Sequence, residues 1–518
     1  MLPNERLRLS IVWVAILGLS ALAMVLQTLR PDVEQMAAAE EGVLVAEPSA
    51  SDPADDDRLL AELGGVSMQT ELLGKITVAL DESRAMFGAA MDNKALLSNA
   101  QPLSREGSPF LDRIAYAVLV GRVEGWDKGV EQLKSITPEG PAERRMRELV
   151  KGGMEIRADA AITEVVKRGT GSGSWDEFLS MPTPWGPVGK IYDALDAPLG
   201  FYAKVLDPRE DEAVARTAGG TVAVLVGVVG WYALVFLGGL CVLLALAVMT
   251  MSGRIRPNFE PATDTHRAIV LGETFAIWMA LFLVLQVVAA SIVEVVGQAL
   301  PEGGFADAAI GPIRLAFSIL AFLSSLVVLV YPRLRGVSRA ELRELTGMHA
   351  GRGVLREALS GVVCYLSAVP LLAIGLVVFA ILSALRDFLF GVGEAPSHPA
   401  AEMLGSASGA EVVLLFVLAS ITAPIVEEIV FRGVLYGHLR GVVTPRVRFA
   451  SMLVAAVGSS VIFAAIHPQG ALFVPALGGL AVGFCLFREV RGSLVAPMVA
   501  HGINNAVTLT IGLSLFGV

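Results

Sequence analysis

Residues 411–437 read EVVLLFVLASITAPIVEEIVFRGVLYG. The run is long enough to cross a bilayer, for which about 20 apolar residues suffice, yet Glu427, Glu428 and Arg432 stand inside it. A charge in hydrocarbon is costly, so each such group marks a functional position by default. Glu428 and Arg432 are four residues apart and can pair on one helical face. Glu427 lies about 100° around the helix and has no local partner. A carboxylate left alone in a poorly solvated place is suited to take or give a proton as a general base or acid. The plainer alternative is a structural ion pair with Glu427 at the wall of a water-filled pore.

The sequence around this run has the same apolar character. The 518 residues are 54% hydrophobic and 17% charged, with a mean hydropathy of +0.64. That composition argues against a string of soluble domains and for an all-α polytopic membrane protein. Eight hydrophobic segments are expected, at about 219–250, 268–295, 312–331, 358–385, 411–437, 449–467, 471–487 and 494–515. The three cysteines, Cys241, Cys364 and Cys485, all lie in apolar runs, which excludes a disulfide framework or a cysteine zinc site.

The expected organisation has three parts: a signal anchor or signal peptide at 1–30, an acidic helical region at 31–215 and a membrane domain at 216–518. Arg6 and Arg8 precede an apolar run from Ile11 to Leu26, as in an export signal. Ala21 and Ala23 form a cleavage-like pair, while the continuing apolar run favours an uncleaved anchor. The net charge of −10 is concentrated in residues 31–220, which carry about −13 and leave about +3 elsewhere. Such acidity argues against nucleic acid as a partner. Leucines at 59, 60, 63, 72, 73 and 80, with Ile76, recur at helical spacing. Gly171, Gly173 and Ser174 mark a linker, and Trp175, Trp185, Tyr192 and Tyr202 suggest an interfacial aromatic belt. The region serves either as a substrate- or partner-binding domain or as a spacer.

Basic residues alternate between connections. Arg254, Arg256 and Arg267 lie in one; Arg333, Arg335, Arg339, Arg343, Arg352 and Arg356 in another; Arg440, Arg446 and Arg448 in a third; Arg488 and Arg491 in a fourth. The intervening loops contain no Lys or Arg, although Arg314 and Arg386 lie at segment edges beside two of them. The positive-inside rule then predicts a cytoplasmic N-terminus and an extracytoplasmic 31–215 region. Glu273 and Glu294, near the ends of their segment, are expected to face headgroups.

Two histidines join the carboxylates. His467 ends the segment Phe463-Ala464-Ala465-Ile466-His467, and His501 shares a helical face with Asn505 in His501-Gly502-Ile503-Asn504-Asn505. Glu427 and His467 suit the activation of a water, while His501 and Asn505 suit hydrogen bonding to an oxyanion. The same groups also suit a zinc site made by Glu427, His467 and His501, or a proton relay in a transporter.

The three motifs, Glu-Glu-x-x-x-Arg at 427–432, Phe-x-x-x-His at 463–467 and His-x-x-x-Asn at 501–505, come in that order, each in a hydrophobic segment. Together they resemble the CAAX-protease and bacteriocin-processing (CPBP) family of intramembrane endopeptidases, also called Abi proteins and usually classed as metalloproteases. Gly478, Gly479, Gly483 and the Gly492-Ser493-Leu494 lead-in fit as well. The resemblance covers about 410–515. It implies that Glu427 and His467 activate water, His501 and Asn505 stabilise the oxyanion, and Glu428 and Arg432 support them. It is equally compatible with zinc and with a metal-free glutamate mechanism. It further implies a membrane-associated protein or peptide substrate, and the exported acidic region points to a prokaryotic plasma membrane. A site-2 zinc protease lacks support, since no His-Glu-x-x-His occurs; aspartyl and rhomboid types lack their motifs too. A non-catalytic scaffold or immunity-type protein is the alternative. Residue counting puts His467 and His501 toward opposite ends of their helices, so closing the site requires a helix to tilt, to kink at Pro424 or to dip.

Overall fold

The computed structural model describes residues 3–40, 60, 63–84, 92–98, 100–105, 107–159, 163, 182–183, 186–262, 264–300, 304–390, 407–443 and 448–516. Seven described helices are long and apolar enough to cross a membrane, and Phe449–Ala465 is a shorter apolar helix. The described strands are one two-residue antiparallel ladder, Pro182–Thr183 with Gly186–Pro187. The chain is thus an all-α polytopic membrane protein, as its apolar runs predict. The expected linker glycines, Trp175, Trp185 and the acidic stretch 41–57 lie outside the described residues.

The chain begins with α1 (Pro3–Glu40) and divides into two compact units, Gly42–Val228 and Met1–Glu41 with Val229–Val518. The first unit holds α2 (Met68–Glu82), α3 (Phe110–Glu124), α4 (Trp126–Lys134), α5 (Pro141–Ala158), α6 (Val188–Leu199) and α7 (Phe201–Leu206). Ser67 caps α2 by accepting from the Thr70 N–H, satisfying one of the first-turn donors. Gly129 of α4 rests on the backbone of α3, where a side chain would meet the Gly121 Cα. Val78, Ile114, Val118, Met146, Val150 and Leu195 form the core. Tyr192 and Tyr202 belong to that core and are not an interfacial belt. The Tyr202 hydroxyl donates to the Thr70 carbonyl at 2.5 Å. The polar end of a tyrosine can be buried when it finds such a partner, and local spacing did not reveal it.

The second unit holds α1, the part of α8 (Asp211–Met251) from Val229 onward, α9 (Thr265–Ala299), α10 (Gly304–Ser325), α11 (Arg339–Thr346), α12 (Val354–Phe390), α13 (Gly409–Val442), α14 (Arg448–Ala465), α15 (Val474–Arg491) and α16 (Val495–Phe516). The last helix is less apolar than the seven, because His501, Asn504 and Asn505 stand in its first half. Small residues let these helices approach closely, as membrane helices do. Side chains at Gly479 and Gly483 of α15 would strike the Leu371 carbonyl and Ala368 of α12.

Helix α1 is seated in this unit. Val12 and Ile16 are buried in its core, Arg8 binds Glu273 of α9 at 2.6 Å, and the Trp13 ring lies 5.6 Å from that of His438. Glu273 also accepts from the Tyr331 hydroxyl at 2.9 Å. Its partners are therefore protein groups rather than headgroups.

Two arginines counted among the basic connections prove to be buried. Arg440 pairs with Glu489 at 2.7 Å, both fully buried, and Arg488 donates to the carbonyls of Leu345 and Gly492. Their helix ends are covered from outside: the N–H groups of Asn258 and Phe259 donate to the Glu489 carbonyl, and the Leu494 N–H donates to Gly347. Sequence placed these side chains at segment ends correctly but could not show what folds over them. At 1.5 Å per residue, His467 lies about 28 Å from the start of α14 and His501 about 9 Å into α16. Both nevertheless reach Oε2 of Glu427, and α16 starts from a buried connection, with Ser493 and Leu494 inside the unit.

Candidate active site

Helix α13 is built unevenly around its carboxylates. Stretches Leu418–Thr422 and Glu428–Leu435 are π-helical, on either side of Pro424. In the first, the Ala423 N–H donates to the Leu418 carbonyl, five residues back. The next donor in that pattern would be Pro424, which has none. The carbonyl it leaves, Ala419, instead accepts from Nδ2 of Asn505 at 2.8 Å. A glycine makes this approach feasible: a side chain at Gly502 would lie 2.6 Å from the Ser420 carbonyl. Single-turn π segments of this kind are frequent at functional sites.

Glu428 and Arg432 pair at 2.8 Å with both side chains buried, as their spacing predicts. The same Glu428 oxygen, Oε1, lies 2.9 Å from Nδ1 of His501. A carboxylate can only accept, so Nδ1 of His501 carries the proton in this bond. His467 is anchored in the same sense, with Nδ1 2.6 Å from the Phe463 carbonyl. Both imidazoles therefore present Nε2 to the site. Both Nε2 atoms face one oxygen, Oε2 of Glu427, at 3.7 Å from His501 and 3.9 Å from His467. Glu427 and His467 remain partly accessible, at 14% and 18% of their side-chain surface, whereas Glu428 and Arg432 are sealed.

The structure thus brings Glu427, Glu428, Arg432, His467 and His501 together. Asn505 is one turn beyond His501, and its bonds run to Ala419 and, from the Asn504 amide, to its own Oδ1 at 3.3 Å. Two phenylalanines close the rear. Phe463 lies 4.3 Å from the His467 ring and 4.4 Å from the Arg432 guanidinium; Phe484 lies 5.5 Å from the His501 ring and 5.2 Å from the same guanidinium. Phe463 belongs to a motif, whereas nothing in the spacing pointed to Phe484. His438 also escaped the sequence reading, which set only His467 and His501 in apolar surroundings: it is fully buried, with Nδ1 2.7 Å from the Ala268 carbonyl.

The expected metal ligands do not form a ligand set. Among the described residues no group of three or more His, Cys, Asp or Glu side chains is arranged to hold a metal ion.

Comparison with known proteins bears on this segment of the chain. Residues 409–507 match the family model of type II CAAX prenyl endopeptidases, Rce1-like. A stretch of 95 residues is 30% identical to the membrane-embedded CAAX protease MroQ of Staphylococcus aureus (strain USA300), covering 18% of this chain and 38% of that protein. The chain thus spans well under half the length of that curated relative. No solved structure matches. The matched segment holds Glu427, Glu428, Arg432, His467 and His501, and its similarity supports the CPBP family at that level.

Proposed function

We propose that this protein is an intramembrane endopeptidase that hydrolyses a peptide bond of a membrane-associated protein or peptide. The observation that carries this reading is the convergence of two anchored imidazoles on one carboxylate oxygen, with Nε2 of His467 and of His501 both within 4 Å of Glu427. A water held between Glu427 and His467 loses its proton to that pair as its oxygen attacks the scissile carbonyl. His501 and the second N–H of Asn505 donate to the oxyanion that develops. The proton then passes from Glu427 or His467 to the leaving amine.

Glu428 and Arg432 serve this arrangement without touching substrate. Glu428 holds Nδ1 of His501, and Arg432 neutralises Glu428. With His501 as an imidazolium, the formal charges of Glu427, Glu428, Arg432 and His501 sum to zero, which suits a sparsely solvated site. The alternation of exposed basic residues, such as Arg254, Arg339, Arg343, Arg352 and Arg356, supports a plasma-membrane protein with a cytoplasmic N-terminus and an extracytoplasmic acidic region.

Turnover of membrane-anchored reporter peptides by wild type and by Glu427→Gln tests the proposal. A hydrolase loses about 10²- to 10⁴-fold in kcat/KM on removal of its general base, with thermal stability preserved. Equal cleavage by both proteins would sink the assigned chemistry. No cleavage of reporters or native membrane proteins by well-folded wild type would favour a scaffold.

A further inference from the structure

Phe484 lies outside every motif, yet its ring touches two groups of the site. It is fully buried, and its origin on α15 is fixed because Gly483 beside it leaves room only for Ala368 of α12. One ring contact is with His501, at 5.5 Å and an interplanar angle of 29°, a stacked arrangement. The other is with the Arg432 guanidinium at 5.2 Å. Phe463 takes the same guanidinium at 4.4 Å and meets His501 edge-on at 5.9 Å and 79°.

The guanidinium is thereby held between two aromatic rings. Its Nη1 binds Glu428 and the Cys485 sulfur is a further polar neighbour, while Nε and Nη2 are buried without an oxygen partner. Attraction between the cation and the two ring quadrupoles adds to these polar contacts. The imidazole of His501 is constrained as tightly: Glu428 fixes Nδ1, Phe484 covers a face and Phe463 meets it edge-on. Remove Phe484 and the His501 ring loses the cover on its face, keeping one hydrogen bond and the edge-on contact of Phe463.

We propose that Phe484 is a positioning residue, which holds Arg432 against Glu428 and sets the plane in which His501 presents Nε2 to Glu427. The proposal rests on the hydrolytic reading of the site for its kinetic consequence, but its geometric content is independent of that reading. Phe484→Leu keeps the bulk and loses the π face; Phe484→Tyr keeps the face.

Both variants would be compared with wild type, full length and in detergent, by reporter turnover and by NMR of isotope-labelled histidine. Misplacing a group in a site by about 1 Å can cost roughly 10²-fold in rate. Phe484→Leu should therefore lose about 10- to 100-fold in kcat with KM nearly unchanged, and Phe484→Tyr should recover most of it. In the spectra, the upfield ring-current shift of the His501 ring protons should vanish in Phe484→Leu and persist in Phe484→Tyr. Wild-type kcat in Phe484→Leu, or His501 signals unmoved by it, would overturn the proposal. So would equal losses in the Leu and Tyr variants, which would reduce Phe484 to packing. If wild type cleaves no reporter, the hydrolytic reading fails, while the His501 spectra still decide whether Phe484 orients that ring.

Discussion

The side-chain amide of Asn505 donates to the carbonyl of Ala419, the acceptor that Pro424 leaves without its helical donor. A proline in one helix and an amide in another thus complete a single hydrogen-bonding pattern. Pro424→Ala restores a backbone N–H to that carbonyl. Asn505→Ala is expected to cost about 1 kcal/mol in the native background and less in Pro424→Ala. Thermal unfolding of the four proteins of this cycle should give a coupling of about 0.5–1 kcal/mol, and strict additivity would refute the link.

Glu428 is sealed between Arg432 and His501. Removing one member of a buried ion pair leaves the other charge uncompensated, so Glu428→Ala should destabilise by about 3–5 kcal/mol. Replacing Glu428 and Arg432 together with Leu and Met should cost less than Glu428→Ala alone. Denaturant unfolding checks the order.

If Glu427 and His467 activate water without a metal, turnover survives prolonged exposure to a strong chelator. Activity that disappears on chelation and returns with zinc would instead establish a metalloprotease.

Gly272 of α9 faces both the His438 ring and Val12 of α1. A Cβ there would lie 2.6 Å from the ring and 2.9 Å from the Val12 Cγ1. Overpacking of this kind costs about 1–3 kcal/mol. Gly272→Ala should therefore loosen α1, seen as faster labelling of a cysteine placed at position 16, with the α16 core unaffected.

In the acidic unit the Tyr192 hydroxyl is buried without a partner, and burial pushes its phenol well above the ordinary tyrosine value. Its ring keeps a cation contact with Arg209 at 5.5 Å. Tyr192→Phe retains that contact and removes the unsatisfied group. It should raise the unit's stability by about 1 kcal/mol, measured by the shift in its thermal transition.

The membrane helices and the pairing of Glu428 with Arg432 were legible in sequence, because both follow from spacing along one chain segment. Convergence of His467 and His501 on Glu427 was suggested by motif order, but its geometry depends on how α16 begins inside the unit. That beginning rests on Gly347, Leu345 and Phe259, residues far away in sequence with no signal of their own. The burial of Arg440 escaped for the same reason, since its partner Glu489 lies 49 residues on. Tyr202 was misread because an aromatic near an apolar run looks alike whether it meets lipid or a distant carbonyl. Phe484 and His438 are ordinary residues locally, and only tertiary neighbours distinguish them.

The seat of α1 carries a consequence for biosynthesis. Arg8 and Glu273 are 265 residues apart, and Trp13 waits for His438 still longer. At about 5–20 residues per second, the ribosome needs on the order of half a minute to deliver that second partner. Until α9 emerges α1 must persist as a lone bilayer helix, which its own backbone hydrogen bonds allow. Its seat is complete only once α13 has been made. An α1 peptide expressed as a separate chain should accordingly restore the fold of a chain that starts after it.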